Sequence, residues 1–349
     1  MTVAVLIVNW NSGGLLKRCL QCVSAQQVTP DEVMVVDNAS TDDSLQQASE
    51  FLKDAQLIQL ESNTGFAHAN NVGAAATRAD LLALLNPDAF PDPGWLGRLL
   101  AAAGRTGPET ASFASQLRFD DDPTFLDGAG DAYHVSGRAW RAGHGTSADG
   151  WPARDVEVFA PCAAAALYRR EAFEAVGRFD ERYFAYFEDV DLGFRLRLHG
   201  YRSLYVHDAV VRHVSSALSG YRSNFAVYHG ERNMVWTYVK DMPSPLVWLY
   251  LPQHLLLNVA SLCVYPWRGQ GRVAFRAKLD AIRGLARVIR ERRQIQRARS
   301  VDPWAVRNAL VRGLAVPYRR LLERRSRPSR ATGRDGIYNN GEPREDTLR

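Results

Sequence analysis

Asp88 closes the segment LLALLNPDAF at residues 81–90, in which an apolar stretch stops at Asn86-Pro87. An apolar run ending at a proline, which cannot continue a strand ladder, predicts a buried strand that delivers Asp88 to its C-terminal end. A carboxylate is a hard oxygen donor suited to Mg2+ or Mn2+, and Mn2+ also accepts imidazole. His213, which follows the apolar run ending VVRH, is the matching nitrogen donor. A second set of acids, Glu188-Asp189-Val190-Asp191, stands at the head of a predicted helix. A carboxylate placed there can take a proton from a hydroxyl, and Glu188 would raise its pKa by like-charge coupling. The same acids also complement a helix dipole, and spacing alone does not choose the base. Asp37, Asn63, Gly65, Asn70, Asn71 and Gly73 fall at or just after predicted strand ends. There Asp37 can accept hydrogen bonds from a base or a ribose hydroxyl, and residues 63–66 let backbone approach a ligand closely. Singly, such residues are what turns use; their order along the chain carries the argument.

The elements that must position these groups follow from periodicity. Residues 2–9 (TVAVLIVN) predict a buried strand, and 14–26 a helix with Leu15, Leu16, Cys19, Leu20 and Val23 on one face. Strands are predicted at 32–36, 57–60 and 81–85, with helices at 45–54 and 67–78 between them. Strand and helix alternate at βα spacing, which argues a doubly wound, mostly parallel sheet whose C-terminal edge is the ligand edge. A helix follows at 95–104, and residues 105–155 predict short antiparallel strands and long loops over one edge of the sheet. Residues 187–198 form the acidic-to-basic helix that carries Asp189, and 201–206 and 209–211 a pair of short strands.

The 349 residues hold 46% apolar side chains, enough for a large core, and exclude a disordered chain. Residues 1–267 carry 21 basic side chains against 30 acidic, whereas 268–330 carry 19 against 4. The basic character is thus confined to one segment, which seeks a polyanion or an anionic membrane. Just before it, residues 246–267 are apolar with Trp248, Tyr250, Tyr265 and Trp267 near the two ends, and 272–299 and 303–325 predict basic amphipathic helices. This pattern argues a helical extension that anchors at a membrane interface more than one that spans it. The organisation predicted is a catalytic domain at 1–240, a membrane-associating segment at 241–325 and a disordered tail at 326–349. The opening MTVAVLIVNWN passes straight into strand-like sequence and four cysteines suit a reducing compartment, so the catalytic part is expected on the cytoplasmic face of the membrane. Cys19 and Cys22 form a lone CxxC, explained by helix packing.

Five segments in order, VNWN, VVDNASTDDS, ESNTGFAHANNVG, LLNPDAF and the long run from GRFDERYFAYFEDVDLGF to VVRHVSS, resemble the family 2 glycosyltransferases of A-type fold. Within them the chain is most similar to the bacterial rhamnosyltransferase-like branch that builds cell-surface polysaccharides. The resemblance spans residues 3–220. It implies an inverting hexosyltransferase with a nucleotide-diphosphate sugar donor, dTDP-rhamnose first among them, and a lipid-linked glycan acceptor. It implies a nucleotide-sugar pocket of Val8, Asn9, Asp37, Asn38, Ser40, Asn63, Gly65, Phe66, Asn70 and Asn86. Asp189 would be the catalytic base with Glu188 beside it, and Asp88 and His213 the ligands of Mn2+ or Mg2+. Cys162, Ala163 and Asp191 would face the acceptor. Two departures stand out: the family's DxD is Asn86-Pro87-Asp88, and the acceptor loop is Ala160-Pro161-Cys162-Ala163 where relatives have a glycine-containing turn. A nucleotidyltransferase would require a basic glycine-rich loop after the first strand, and 10–14 has glycines with no cation until Lys17. A polyanion-binding protein would use 268–330 and leave Asp189 idle; no nucleic-acid partner is expected.

Overall fold

Val3–Asn9 (β1, VAVLIVN) is buried at every residue, as a run that is apolar up to its last residue must be when helices cover both faces of its sheet. The structure, a computed structural model, describes residues 1–215 and 223–322. β1 is followed by Gly14–Ser24 (α1), which buries Leu16, Cys19, Leu20 and Val23 against the sheet. Cys19 and Cys22 are free thiols on this helix. Glu32–Asp37 (β2), Ser44–Gln47 (α2), Gln56–Gln59 (β3), Phe66–Ala76 (α3) and Leu81–Leu85 (β4) complete the alternating half. The helix expected over 45–54 is α2 followed by a separate 3-10 turn, Phe51–Asp54. So short an interval offers too few turns to repay nucleation. β1 pairs in parallel with β2 and β4, and β2 with β3.

The second half extends the same sheet. Ala89–Pro91 (β5), Trp95–Arg105 (α4), Thr110–Phe119 (β6), Leu126–Gly128 (β7), Asp131–Tyr133 (β8), Ala139–Arg141 (β9), Val156–Val158 (β10) and Ala165–Arg169 (β11) precede Arg170–Ala175 (α5), Glu188–Leu198 (α6) and Arg202–His213 (β12). The strand order is β10-β12-β6-β11-β4-β1-β2-β3, with β5 on β12, β7 on β6, and β8 and β9 forming a separate hairpin. Two expectations are corrected here. The stretch 105–155 contains β6, a ten-residue strand inside the sheet rather than an edge meander. Its alternation is weak because nearly every residue is buried, whichever face it points to. The two strands expected at 201–211 are one twelve-residue strand whose register jumps between Tyr205 and Val210, a bulge at the interruption seen in the sequence. β11 runs antiparallel between β4 and β6, so the sheet is mixed.

The C-terminal helices are Asn224–Asp241 (α7), Leu246–Val264 (α8, with Pro252 inside it), Gly271–Ala298 (α9), Pro303–Asn308 (α10) and Val316–Leu322 (α11). The single helix expected at 303–325 is divided into α10 and α11 by a stretch holding Gly313 at φ 121°. The tail expected from 326 onward lies outside the described residues. α9 is packed along α7: Trp236 Nε1 donates to the Ala281 carbonyl at 3.0 Å, and Tyr228 Oη donates to Asp280 at 2.9 Å. Buried Glu231 on α7 receives Lys278 of α9 at 2.7 Å and the Tyr265 hydroxyl at 3.1 Å. The basic segment is therefore docked on the preceding helix and does not hang from it as a free arm.

Removing one partner of a buried ion pair leaves an uncompensated charge, which costs about 3–5 kcal/mol. Lys278→Met is expected to lower unfolding stability in urea by about that amount. The double variant Lys278→Met/Glu231→Leu should recover part of the loss, because the buried pair is then removed together while Arg138, 3.5 Å from Glu231, loses its partner.

Candidate active site

The ends of β1 and β2 build the first wall. Asn9 is fully buried, and its Nδ2 donates to Asp37 Oδ1 at 2.8 Å and to Ser44 Oγ at 2.9 Å, while Ser12 Oγ donates to its Oδ1. Asp37 also accepts the Ser40 N–H at 3.1 Å, so its carboxylate is held from two sides at the strand end. Asn38 bridges to the third strand's loop: its Nδ2 donates to Asn63 Oδ1 at 2.9 Å, and its Oδ1 accepts the Thr64 N–H at 2.9 Å. Gly65 stands at φ 87°, and a Cβ there would lie 2.6 Å from the Phe184 carbonyl oxygen, so only glycine fits. This contact seats the loop before α3 against the turn that leads into α6.

Three further residues expected in the pocket are packed among protein groups, at a burial close to that of Asp37 and Asn38. Val8 and Asn9 lie inside the sheet at 8% and 0% exposure, and Asn9 organises Asp37 from behind. Asn70 is buried and returns its amide to the Phe66 carbonyl of its own helix at 2.9 Å. Asp37, Asn38, Ser40, Asn63, Gly65 and Phe66 do gather at the C-terminal edge of the parallel strands, the ligand edge of such sheets.

β4 delivers Asp88 to the same edge, and β12 delivers His213. The pairing of β5 with β12 sets His213 opposite Ala89, and Val214 N–H donates to the Asp88 carbonyl at 3.0 Å. His213 Nε2 lies 3.3 Å from Asp88 Oδ1, while its Nδ1 is 2.7 Å from Asp127 Oδ2. Asp127, on β7, is fully buried and contacts Arg141 and His144 as well. Burial opposes charge on His213, but the carboxylates of Asp88 and Asp127 outweigh it and push its pKa up to about 9. Asp88, whose burial acts the other way, is held below the usual carboxylate range chiefly by His213. Apart from this 3.3 Å contact with each other, Asp88 Oδ1 and His213 Nε2 are buried with no hydrogen-bond partner among the described residues. Two cis ligands of an octahedral divalent cation with bonds near 2.1 Å stand about 3 Å apart, so one oxygen and one imidazole nitrogen at this spacing fit such an ion. Asp127 is then the carboxylate that orients the imidazole from behind.

The acid at the head of α6 is fixed by a loop from another part of the chain. Ala163 N–H donates to Asp189 Oδ2 at 3.1 Å, and the Ala164 carbonyl accepts the Asn86 N–H at 2.9 Å. One short loop thus ties Asp189 to the strand end that carries Asp88. Atoms of Asp189, Asp131 and the Cys162 thiol all lie within 4.8 Å of one another. Burial, followed by the Asp189 charge, pushes Asp131 well above the usual carboxylate range. Burial also raises Asp189, though backbone N–H groups of Ala163 and Val190 act against it, so the two acids titrate as a coupled pair above the ordinary carboxylate range. Glu188 is buried, raised by burial and then by Asp189, and its Oε2 has no hydrogen-bond partner among the described residues. Cys162 is a buried thiol pushed up by its surroundings, burial first. Arg141 lies beside Asp127, with Asp131 and Asp189 also favouring its charge, and is the cation common to both groups of acids.

Asp191, expected on the acceptor side, belongs to a different structure. It is fully buried, paired with Arg195 at 2.7 Å and with Lys240, and it accepts the Tyr183 hydroxyl at 3.1 Å. Residues two apart on a helix do not share a face, so with Asp189 at the site Asp191 must point into the helix packing. The turn before α6 is strained: Phe184, Tyr186 and Phe187 have φ of 65°, 66° and 69°. Asn233 of α7 holds it, with Nδ2 within 3.0 Å of the Tyr183 and Ala185 carbonyls and 2.8 Å of that of Tyr186.

The residues missed by sequence reasoning are Asp127, Asp131, Arg141 and Asn233. Each sits in a three-residue strand or on a helix far along the chain, with no periodicity to mark it. The only signal was the pair of acids in LDGAGD at 126–131.

Known proteins identify the family and the fold. The family described as Glycosyl transferase family 2 matches residues 4–177. The N-acetylglucosaminyl-diphospho-decaprenol L-rhamnosyltransferase of Mycobacterium tuberculosis is 30% identical over 289 residues, covering 73% of this chain and 92% of that protein. The O-antigen chain rhamnosyltransferase RfbN of Salmonella typhimurium is 26% identical, covering 61% of this chain and 66% of its own. Among solved structures, GalNAc-T7 with UDP, GalNAc and Mn2+ aligns at a TM-score of 0.60 and 17% identity, covering 75% of this chain and 51% of that one. The mannosyltransferase PcManGT of Pyrobaculum calidifontis, in complex with GDP-Man and Mn2+, aligns at a TM-score of 0.50 and 17% identity over 88% of this chain and 86% of its own. These likenesses show the A-type fold.

Second-sphere carboxylates tune metal affinity by about 10–100-fold. Asp127→Ala is expected to weaken Mn2+ binding, measured by calorimetry, by about that factor while Asp88 and His213 remain.

Proposed function

The chain belongs to glycosyl transferase family 2, and from that premise we propose that this glycosyltransferase is inverting and moves rhamnose from dTDP-rhamnose to a hydroxyl of a lipid-linked glycan. The observation that carries the mechanism is the loop 162–164, which ties Asp189 through the Ala163 N–H and the end of β4 through the Ala164 carbonyl. A nucleophile activated at Asp189 and a diphosphate held near Asp88 would therefore meet over one edge of the sheet. Support for the donor and acceptor comes from the names of the relatives: one is a rhamnosyltransferase acting on a decaprenol diphosphate-linked sugar, the other an O-antigen rhamnosyltransferase.

In this reading Asp37 and Asn38 hold the nucleoside, and Asn63, Gly65 and Phe66 line its approach. Asn86 and the acceptor loop at Cys162 and Ala163 close the space between donor and acceptor. Asp88 and His213 would hold a divalent cation, Mn2+ by the chemistry of the donor set, which neutralises the departing diphosphate. Asp189 takes the acceptor hydroxyl proton as that oxygen bonds to the anomeric carbon. The bond from this carbon to the diphosphate oxygen breaks, releasing nucleoside diphosphate. Asp131 and Glu188, the buried acids coupled to Asp189, favour a single ionised carboxylate among the three. The enzyme would work on the cytoplasmic face of a membrane, where a lipid-borne acceptor is presented, with 246–325 at the lipid.

Asp189→Asn is expected to lower the transfer rate by about 10²–10⁴-fold with donor affinity intact; loss of donor binding instead would make Asp189 a structural residue. Because burial raises the Asp189 pKa and the base works ionised, the rate should fall as pH drops through that raised value. The acid limb of the pH profile should thus lie above the ordinary carboxylate range. Calorimetry with dTDP, UDP and GDP should find one nucleotide whose binding Mn2+ tightens, a gain that Asp88→Ala removes; no binding by any of them would overturn the donor site.

A further inference from the structure

Residues 242–267 contain no Lys, Arg, Asp or Glu, yet α8 within them is buried on one side only. Its inner face, with Tyr250, His254, Leu257 and Ser261, is packed into the body of the protein. The His254 ring stacks on Tyr238 at 3.9 Å and its Nδ1 lies 2.8 Å from the Ser136 carbonyl, while Tyr250 Oη accepts from Arg307 at 2.6 Å. Its outer face exposes Trp248, Leu256 and Val259 at 71%, 58% and 57%, and Trp267 beyond the helix end is 92% exposed. A second apolar stripe runs along α9 at Phe275, Leu279, Ile282 and Ile289, at the spacing of one helix face. Exposed Arg272, Arg283, Arg290 and Arg293 lie alongside it.

We propose that the outer faces of α8 and α9 form a membrane-docking surface that lies in the plane of an anionic lipid layer, its apolar side chains inserted and its arginines at the headgroups. It deepens the reading of a lipid-borne acceptor and rests on that reading only for its purpose. The polar contacts of His254 and Tyr250 hold α8 against the protein, so lipid cannot surround the helix as a span requires. Its 19 residues sink by one face only. Charge selects the occupant: a second copy of the chain would bring arginine against arginine, whereas anionic headgroups complement them. The tryptophans near both ends of the charge-free stretch suit the interface between headgroup and hydrocarbon.

The test is co-sedimentation of the full chain with vesicles of phosphatidylcholine alone and with phosphatidylglycerol added, followed by alkaline carbonate extraction. Binding should be at least tenfold stronger with the anionic lipid, weaken with salt and be reversed by carbonate. Leu256→Glu/Val259→Glu should reduce it at least tenfold, and Arg283→Glu/Arg290→Glu should abolish the preference for phosphatidylglycerol. All variants should keep the wild-type melting temperature and the wild-type rate of transfer to a water-soluble acceptor. Absent binding, variants that bind like wild type, or resistance to carbonate would each overturn the proposal. So would a dimer in light scattering that Leu256→Glu/Val259→Glu disperses, since a second copy would then cover the face. If vesicle binding survives while no transfer to any acceptor is found, the catalytic reading fails and the docking surface stands.

Discussion

The register of β11 against β4 is the constraint on which the site depends. β11 enters the sheet antiparallel with Ala165 opposite Leu85. That pairing leaves the residues just before β11, Cys162 to Ala164, facing the residues just after β4, Asn86 to Asp88. The Ala164 carbonyl can then take the Asn86 N–H, and the Ala163 N–H is left to receive Asp189. A slip of one residue would exchange the two buried faces of β11 and remove the donor on which Asp189 rests.

Electrostatics in this region are arranged around charges that burial would otherwise forbid. His213 lies between Asp88 and Asp127, Asp127 is answered by Arg141, and Arg141 also bears on Asp131 and Asp189. Burial and neighbouring carboxylates shift Asp131 and Glu188 upward, whereas direct contact with His213, and for Asp127 also with Arg141, shifts Asp88 and Asp127 downward. The same rule explains Asp191: paired with Arg195 and Lys240 beneath the site, it stays ionised and fastens α6 to α7.

The C-terminal helices take part in the site without contributing to its chemistry. Asn233 on α7 gathers the carbonyls of the turn that presents α6, where three aromatic residues hold positive φ. Such strain persists only where surrounding contacts enforce it, and α7 is in turn held by α9 through Lys278 and Trp236. The helices that carry the proposed lipid-facing surface are thus mechanically continuous with the element that aims Asp189.

By itself the sequence determined the alternating βα half, the gathering of Asp37, Asn38 and Asn63 at strand ends, and the arrival of Asp88 after β4, because hydrophobic period and turn chemistry are written in neighbouring residues. It also determined the charge asymmetry and the apolar stretch at 246–267, which are matters of composition. Only the tertiary structure decided that β6 is an interior strand, since a strand buried on both faces shows no alternation to read. It alone supplied Asp127, Asp131 and Arg141, from three-residue strands whose positions are set by partners far along the chain. It turned Asp191 into the packing of α6 on α7, because which face of an element meets the ligand depends on what packs against the other. Local chemistry names the residues able to act; long-range pairing decides which of them face one another.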